Sequence, residues 1–186
     1  RRRAGFAKLG LTFHRGTHMN RTLLAAMAMT AATTMIVEPA YADDQADIQT
    51  TIDALYAVIS GPVGEARDFD AMREMFMDGA AMGAVSAGEA GNGAGRVITL
   101  DDYIERSGPW LVETGFTERA TRTEITQWGE IAYARSAYEG VNGLTGETFL
   151  VGVNFITLFK IDGRWKIASI LWRTQTEDWP VDAAFD

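Results

Sequence analysis

Four polar side chains interrupt otherwise apolar stretches of the sequence: Tyr56, Asp78, Arg135 and Asn154. A phenol, a carboxylate, a guanidinium and a carboxamide can between them accept a proton, stabilise an oxyanion and orient a ligand, so these four are the weak catalytic candidates of the chain. Each also has a purely structural reading. A buried phenol or guanidinium needs a hydrogen-bonding partner. Tyr56 therefore serves either a structural hydrogen bond or a ligand contact. Arg135 makes either a salt bridge, to Glu139 or Asp78, or a contact to an anionic ligand. Asn154 either satisfies a buried backbone group or faces a ligand. Phe155 and Trp172 are core aromatics or, together with Tyr56, the ligand-binding wall of an apolar pocket. Trp165 reads as core or as a subunit contact.

Several chemistries are excluded by what is missing. The chain has no Cys, and both His residues, His14 and His18, lie near the start. From residue 43 onward there is no imidazole or thiol, which rules out Ser-His-Asp and Cys-His catalysis and ordinary zinc sites there. The acidic pairs Asp43-Asp44 and Glu177-Asp178 lack calcium-loop spacing. The Gly-rich stretch AVSAGEAGNGAGR, residues 84–96, lacks the Lys-Ser/Thr of a phosphate loop and reads as a mobile loop. No metal or cofactor is expected.

The first 42 residues read as separate from the fold. Residues 1–18 look like an upstream extension, with Met19 as the start. Met19-Asn20-Arg21 opens a basic stretch, TLLAAMAMTAATTMIV (22–37) is apolar, and Ala40-Tyr41-Ala42 has the small-x-small pattern of a signal-peptidase site. Cleavage is expected after Ala42, with a periplasmic or secreted product. The 16-residue apolar run is shorter than the roughly 20 residues of a spanning helix. The first 42 residues hold six of the 17 basic groups and one of the 25 acidic groups, leaving 11 against 24 in residues 43–186, a net charge of −13. That surface disfavours nucleic acid and, after cleavage, anionic membrane.

These 144 residues suit one domain. Ile48, Ile52, Leu55 and Ile59 form one helical stripe. GPVGEA breaks it. DFDAMREMFMDG predicts a second helix capped by Asp68, with methionines as core filler. Thr99 or Asp101 caps a third, DDYIERS, ended by Gly108-Pro109. From residue 117 onward the pattern is β. One pair of strands turns at Gly129-Glu130. A second pair turns at Asp162-Gly163 and includes a 13-residue strand, 148–160, with Gly152 as a bend or bulge site. In that strand Phe149, Val151, Val153, Phe155 and Phe159 mark one face, and Leu150, Ile156 and Leu158 the other. Two apolar faces predict burial on both sides, most simply by a homodimer formed through the sheet. The expected architecture is α+β: three N-terminal helices packed on a strongly curved antiparallel sheet.

That order resembles the nuclear transport factor 2-like (NTF2-like; SnoaL-like, cystatin-like α+β) superfamily, whose helices and bent sheet form a cone with a pocket. The residues that carry the resemblance are RDFDAMREMFMDGAAM (67–82), WGEIAYARSAYEG (128–140) and, most specifically, VNFITLFKIDGRWKIASILWR (153–173). It covers residues 45–180 and looks closest to uncharacterised exported bacterial members. The superfamily includes isomerases, dehydratases, epoxide hydrolases, cyclases and binding domains, so the fold does not give the function. Its ketosteroid isomerases use an aspartate base, with a tyrosine and a neutral aspartic acid as oxyanion hole. By that resemblance the tyrosine falls on Tyr56 and the pocket tryptophan on Trp172. The base falls on Ala84 and the second donor on Phe155, neither of which can serve, which leaves Asn154 or Asp78 to shift into the role. In the epoxide hydrolases an Asp-Arg-Asp set activates water; Arg135 could be its centre, but no matching aspartates are visible. The resemblance implies a small hydrophobic molecule bound in the cone, or alternatively a cofactor-free lyase, isomerase or hydrolase, or a dimeric interaction module.

Overall fold

Helix α1 (Glu38–Ile59) is long because its apolar stripe has a sheet to lie on. Ile48, Ile52, Leu55 and Ile59 are all buried, and the helix packs chiefly on strand β3 (Phe116–Trp128). The computed structural model describes residues 38–88 and 92–186, with side chains from Asp43 onward. The expected extension and apolar leader, 1–37, lie outside the described residues. Among those described, no helix is long and apolar enough to cross a membrane.

After the break, helix α2 (Phe69–Met75) is capped by Asp68, whose carboxylate accepts from the Ala71 amide at 2.9 Å. It is shorter than the sequence pattern suggests. Residues Phe76–Ser86 instead form strand β1, which pairs antiparallel with β2 (Ala94–Thr99). The two ends of the Gly-rich stretch read as a loop, residues 84–86 and 94–96, thus belong to the edge of a sheet. Gly83, just before that stretch, is a point of close approach: an added Cβ there would lie 2.6 Å from the Arg96 carbonyl oxygen.

Helix α3 (Leu100–Thr114) begins at Thr99 with a reciprocal capping box to Asp102. It continues through Gly108-Pro109, where the sequence predicted an end. Proline removes one backbone donor, but Leu111 beyond it is buried and anchors the next turn. Gly108 lets the Phe69 ring of α2 approach within 3.0 Å of where a Cβ would stand.

The remaining strands are β4 (Ile131–Asn142), β5 (Thr148–Ile161) and β6 (Arg164–Thr174), followed by a short 3-10 turn, Val181–Ala184. The sheet order is β2-β1-β6-β5-β4-β3. It is antiparallel apart from one parallel pair, β1 with β6. The turn between β5 and β6 has both Asp162 and Gly163 at positive φ, 50° and 75°, as an Asp-Gly hairpin requires. Gly152 is a point of close approach rather than the bulge itself. A Cβ there would sit 2.3 Å from the Arg173 carbonyl and 2.7 Å from the Tyr138 hydroxyl. The register shifts of β5 fall instead beside Gly140/Val141 and at Thr157/Leu158.

The main core lies between the helices and the inner face of the sheet, with Ile156, Leu158 and Ile167 fully buried. Trp165 belongs to it. The outer face has its own small cluster. Phe185, Val181 and Ala184, from the C-terminal segment, cover Ala137, Val153 and Phe155. The chain itself therefore covers part of the surface that the two-faced apolar pattern assigned to a second subunit.

Candidate functional site in the cone

Strand β3 enters the sheet directly after α3, and its first residues alternate inward: Phe116, Glu118 and Ala120. Its start is clamped to the end of α1. Gly61 and Phe116 exchange backbone hydrogen bonds of 2.7 and 3.0 Å, and the Glu118 amide donates to the Ser60 hydroxyl at 2.9 Å. Buried Arg67 holds the intervening loop. It donates to the carbonyls of Ile59 at 3.1 Å, Gly61 at 2.6 Å and Leu111 at 2.9 Å, and also to Glu65, so the end of α1 is tied to α3.

The consequence is a carboxyl group held inside the cone. Glu118 lines a cavity of about 200 Å³ whose walls are mainly apolar, with Leu55, Met72, Met82, Ile170 and Trp172 among them. The methionines line the space and do not fill it. The Glu118 carboxylate accepts a long hydrogen bond, 3.4 Å, from Asn154 Nδ2. Burial raises its pKa to about 7, and the Asn154 contact only partly offsets this. No Lys or Arg pairs with it among the described residues.

Asn154 Nδ2 also donates to the Tyr56 hydroxyl at 3.1 Å, and Tyr56 donates onward to Ser136 Oγ at 2.8 Å. Ser136 and Thr123 are 3.0 Å apart. Both amide hydrogens of Asn154 are therefore committed, one to the tyrosine and one to the carboxylate. Burial pushes Tyr56 up to about 12, so it is neutral. Its hydroxyl sits behind the cavity wall and is fully engaged. In this geometry Tyr56 orients Asn154, and Asn154 orients Glu118.

Two further phenols surround the carboxyl group. Burial pushes Tyr138 up to about 12 and raises Tyr103 as well, and the negative charge of Glu118 adds to both shifts. Tyr103, on α3, meets the Trp172 ring edge-on with centroids 6.3 Å apart.

Of the residues singled out from the sequence, Tyr56, Asn154 and Trp172 converge on this region. The other three do not. The sequence reading puts Phe155 on the same face as Trp172, as the Asp162-Gly163 turn alone would, but the register shift at Thr157/Leu158 turns Trp172 to the opposite face. Asn154 is the register partner of Trp172 and faces the cone, so its neighbour Phe155 faces outward and stacks on Tyr133, centroids 6.2 Å apart. Arg135 is the partner of Phe155 and also lies outside. It pairs with Glu124 at 2.7 Å and with the Ala184 carbonyl at 2.6 Å, rather than with Glu139 or Asp78. Glu139 is taken by Arg119. Asp78 is exposed on β1, outside the residues that line the cone. The outer groove between the sheet and the C-terminal segment is larger, about 510 Å³, and is lined by Tyr133, Phe155 and Trp179. Its Arg135 is already satisfied by protein partners.

Sequence reasoning missed Glu118 and Tyr103. Glu118 lies in TERATRTEITQW, a strand so polar that one inward acid does not stand out. The available signal was period-two alternation from Phe116.

No protein-family model matches the sequence, and no curated protein matches it significantly. Solved structures do match in fold. An NTF2-like protein with a cystatin-like fold from Novosphingobium aromaticivorans superposes with a TM-score of 0.64 at 15% identity, covering 85% of this chain and 99% of that one. The beta subunit of a candidate aromatic-ring-hydroxylating dioxygenase from the same bacterium gives 0.56 at 16% identity, covering 74% and 92%. A candidate scytalone dehydratase, also from that bacterium, gives 0.52 at 17% identity, covering 73% and 87%. The chain has the NTF2-like, cystatin-like α+β fold. At these identities the likeness shows the fold alone.

Proposed function

We propose that the cone binds a small, mainly apolar organic molecule and that Glu118 moves a proton on it, in lyase or isomerase chemistry carried by the chain's own side chains. The observation that carries this reading is an unpaired carboxyl group on an apolar cavity wall, oriented by Asn154. Burial places its titration near neutrality, where a group can both take and return a proton. Simple binding does not call for a carboxyl group there, because taking it out of water without a cation costs stability. A domain serving only interaction would have its cavity filled by its own Met and Phe side chains. The candidate dehydratase of the same fold is in keeping with acid-base work in such a cone.

Export to the periplasm or beyond, on the pattern of residues 22–42, is part of the proposal. So is a second copy of the chain against the outer sheet face, where Tyr133 and Leu171 remain about 40% exposed.

The test is deuterium incorporation from heavy water into 1-indanone at the carbon beside its carbonyl. The full chain accelerates it, and Glu118→Gln removes the acceleration. Exchange no faster than in protein-free buffer would rule out the acid-base reading.

A further inference from the structure

The groove on the outer face, about 510 Å³, is of the size that small-molecule sites usually have. Its floor follows from strand register. Ala137, Val153 and Arg173 form one row across β4, β5 and β6, and Arg135, Phe155 and Leu171 form the next. Two residues along a strand span about 7 Å, so Arg173 stands one row from the Phe155 ring on the same face. Tyr133, a row further, stacks on Phe155 with 30° between the ring planes. The C-terminal segment builds the facing wall. The Gln175 amide donates to the Val151 carbonyl at 2.9 Å, which carries the β5–β6 ladder past Thr174. Thr176 and Trp179 then exchange two backbone hydrogen bonds of 3.1 Å. That turn fixes Trp179 at the rim of the groove with 64% of its surface in water. An indole held in water by its backbone gains from any apolar body that enters beside it.

The charge on this face is a separate observation. Arg122 and Arg135 share one carboxylate, Glu124. Arg173 pairs with none among the described residues, and Glu177, Asp178 and Asp182 on the adjoining segment do not reach it. Its hydrogen bond is to the neighbouring Thr174 carbonyl, at 3.3 Å. Three guanidinium groups against one carboxylate make this a cationic place on a chain whose formal net charge is −8.

We propose that the outer groove is a second binding site, for a flat aromatic monocarboxylate, with the carboxylate in the fork of Arg173 and the ring between Trp179 and the Phe155–Tyr133 pair. A planar guanidinium offers two parallel N–H donors to the two carboxylate oxygens. The aromatic walls suit the ring. The two cavities then sort small molecules by charge. The cone holds Glu118 without a counter-ion, which repels an anion, whereas the outer groove attracts one. Leu171, Val85 and Val97 are exposed apolar residues outside the lining of this groove. A second copy resting on them does not need its walls. The site does not depend on proton transfer by Glu118.

The experiment compares 2-naphthoate with 2-naphthamide, two probes that share a bicyclic ring and differ by one charge. Dissociation constants are measured by calorimetry on the full chain. The carboxylate is expected to bind about tenfold more tightly, the worth of a hydrogen bond to a charged group. That preference should shrink as salt is raised. Arg173→Met removes the preference and leaves the amide affinity unchanged. Arg173→Lys, which keeps the charge but not the fork, retains part of it. Trp179→Ala weakens both probes. Urea midpoints close to that of the native chain report that the variants fold. 1-Indanone, the probe of the cone, does not displace the carboxylate. Equal affinity of the native chain for the two probes overturns the inference, and so does a preference that survives Arg173→Met. Displacement by 1-indanone overturns it by placing the anion in the cone. Failure of both probes to bind at millimolar concentration overturns it too, and leaves the acid-base reading of the cone to its own exchange test.

Discussion

Asn154 and Phe155 are neighbours on β5, yet they belong to two different environments. Inside, Asn154 joins a buried relay that ends on a carboxyl group without a counter-ion. Outside, Phe155 lies beside guanidinium groups that have carboxylate partners. Arg135 is held by Glu124 and by the Ala184 carbonyl, and Arg122 also reaches Glu124, with its guanidinium 4.3 Å from the Phe185 ring centroid. Both faces combine aromatic rings with ionisable groups, so composition does not separate them. What separates them is whether the charge is satisfied. A matched guanidinium is structure, and an unmatched carboxyl group on a cavity wall is available for chemistry.

The largest expected effect tests the inner face. Glu118→Gln should lower the rate of deuterium exchange into 1-indanone by about 10²- to 10⁴-fold, the usual worth of a positioned base. In the native chain the rate should rise with pH through about 7 and then level, because the carboxylate is the base. A flat profile, or one turning near an ordinary carboxylate value, would break the comparison.

Arg67 provides the contrast of a buried charge that is fully engaged. Its replacement by Ala leaves the carbonyls of Ile59, Gly61 and Leu111 without their donor. Urea unfolding should show a loss of about 3 kcal/mol. An unchanged midpoint would mean that the loop holds itself.

Removing the unsatisfied charge should act in the opposite direction. The folded-state pKa of Glu118 lies above its unfolded value. Its favourable contribution is therefore complete below about pH 4 and lost as pH rises through about 7. Glu118→Gln should accordingly stabilise the protein by about 2 kcal/mol near pH 9 and by little near pH 4. Equal effects at both pH values would place the carboxyl group in water.

The smallest effect is expected on the outer face. Arg135→Met should cost about 1 kcal/mol in thermal unfolding, since the pair is half-exposed, and should leave the exchange rate unchanged. Loss of exchange in that variant would show that the two faces are coupled.

The elements that the sequence made legible share one property: their signal is local. The stripe on α1, the Asp68 cap and the Asp162-Gly163 turn are each specified by residues a few positions apart. Where the reading differed from the structure, a distant partner decided the outcome. Residues 76–86 became a strand because β6 and β2 pair with them on either side. Helix α3 passed Pro109 because Leu111 had a core to enter. The outer sheet face gained a cover from Phe185, 32 residues beyond Val153 in sequence.

The site divides in the same way. The exclusion of imidazole and thiol chemistry from residues 43–186 follows from composition. The apolar character of the cone follows from the patterns of α1, β5 and β6. Counting from the Asp162-Gly163 turn puts Phe155 on the Trp172 face; only the register shift at Thr157/Leu158 gives that place to Asn154. Only the tertiary structure brought Tyr56 from the first helix, Tyr103 from the third, Glu118 from β3 and Asn154 from β5 around one cavity. Glu118 ionises near neutrality because burial there removes water and no Lys or Arg among the described residues pairs with it, and no local stretch of sequence contains that information.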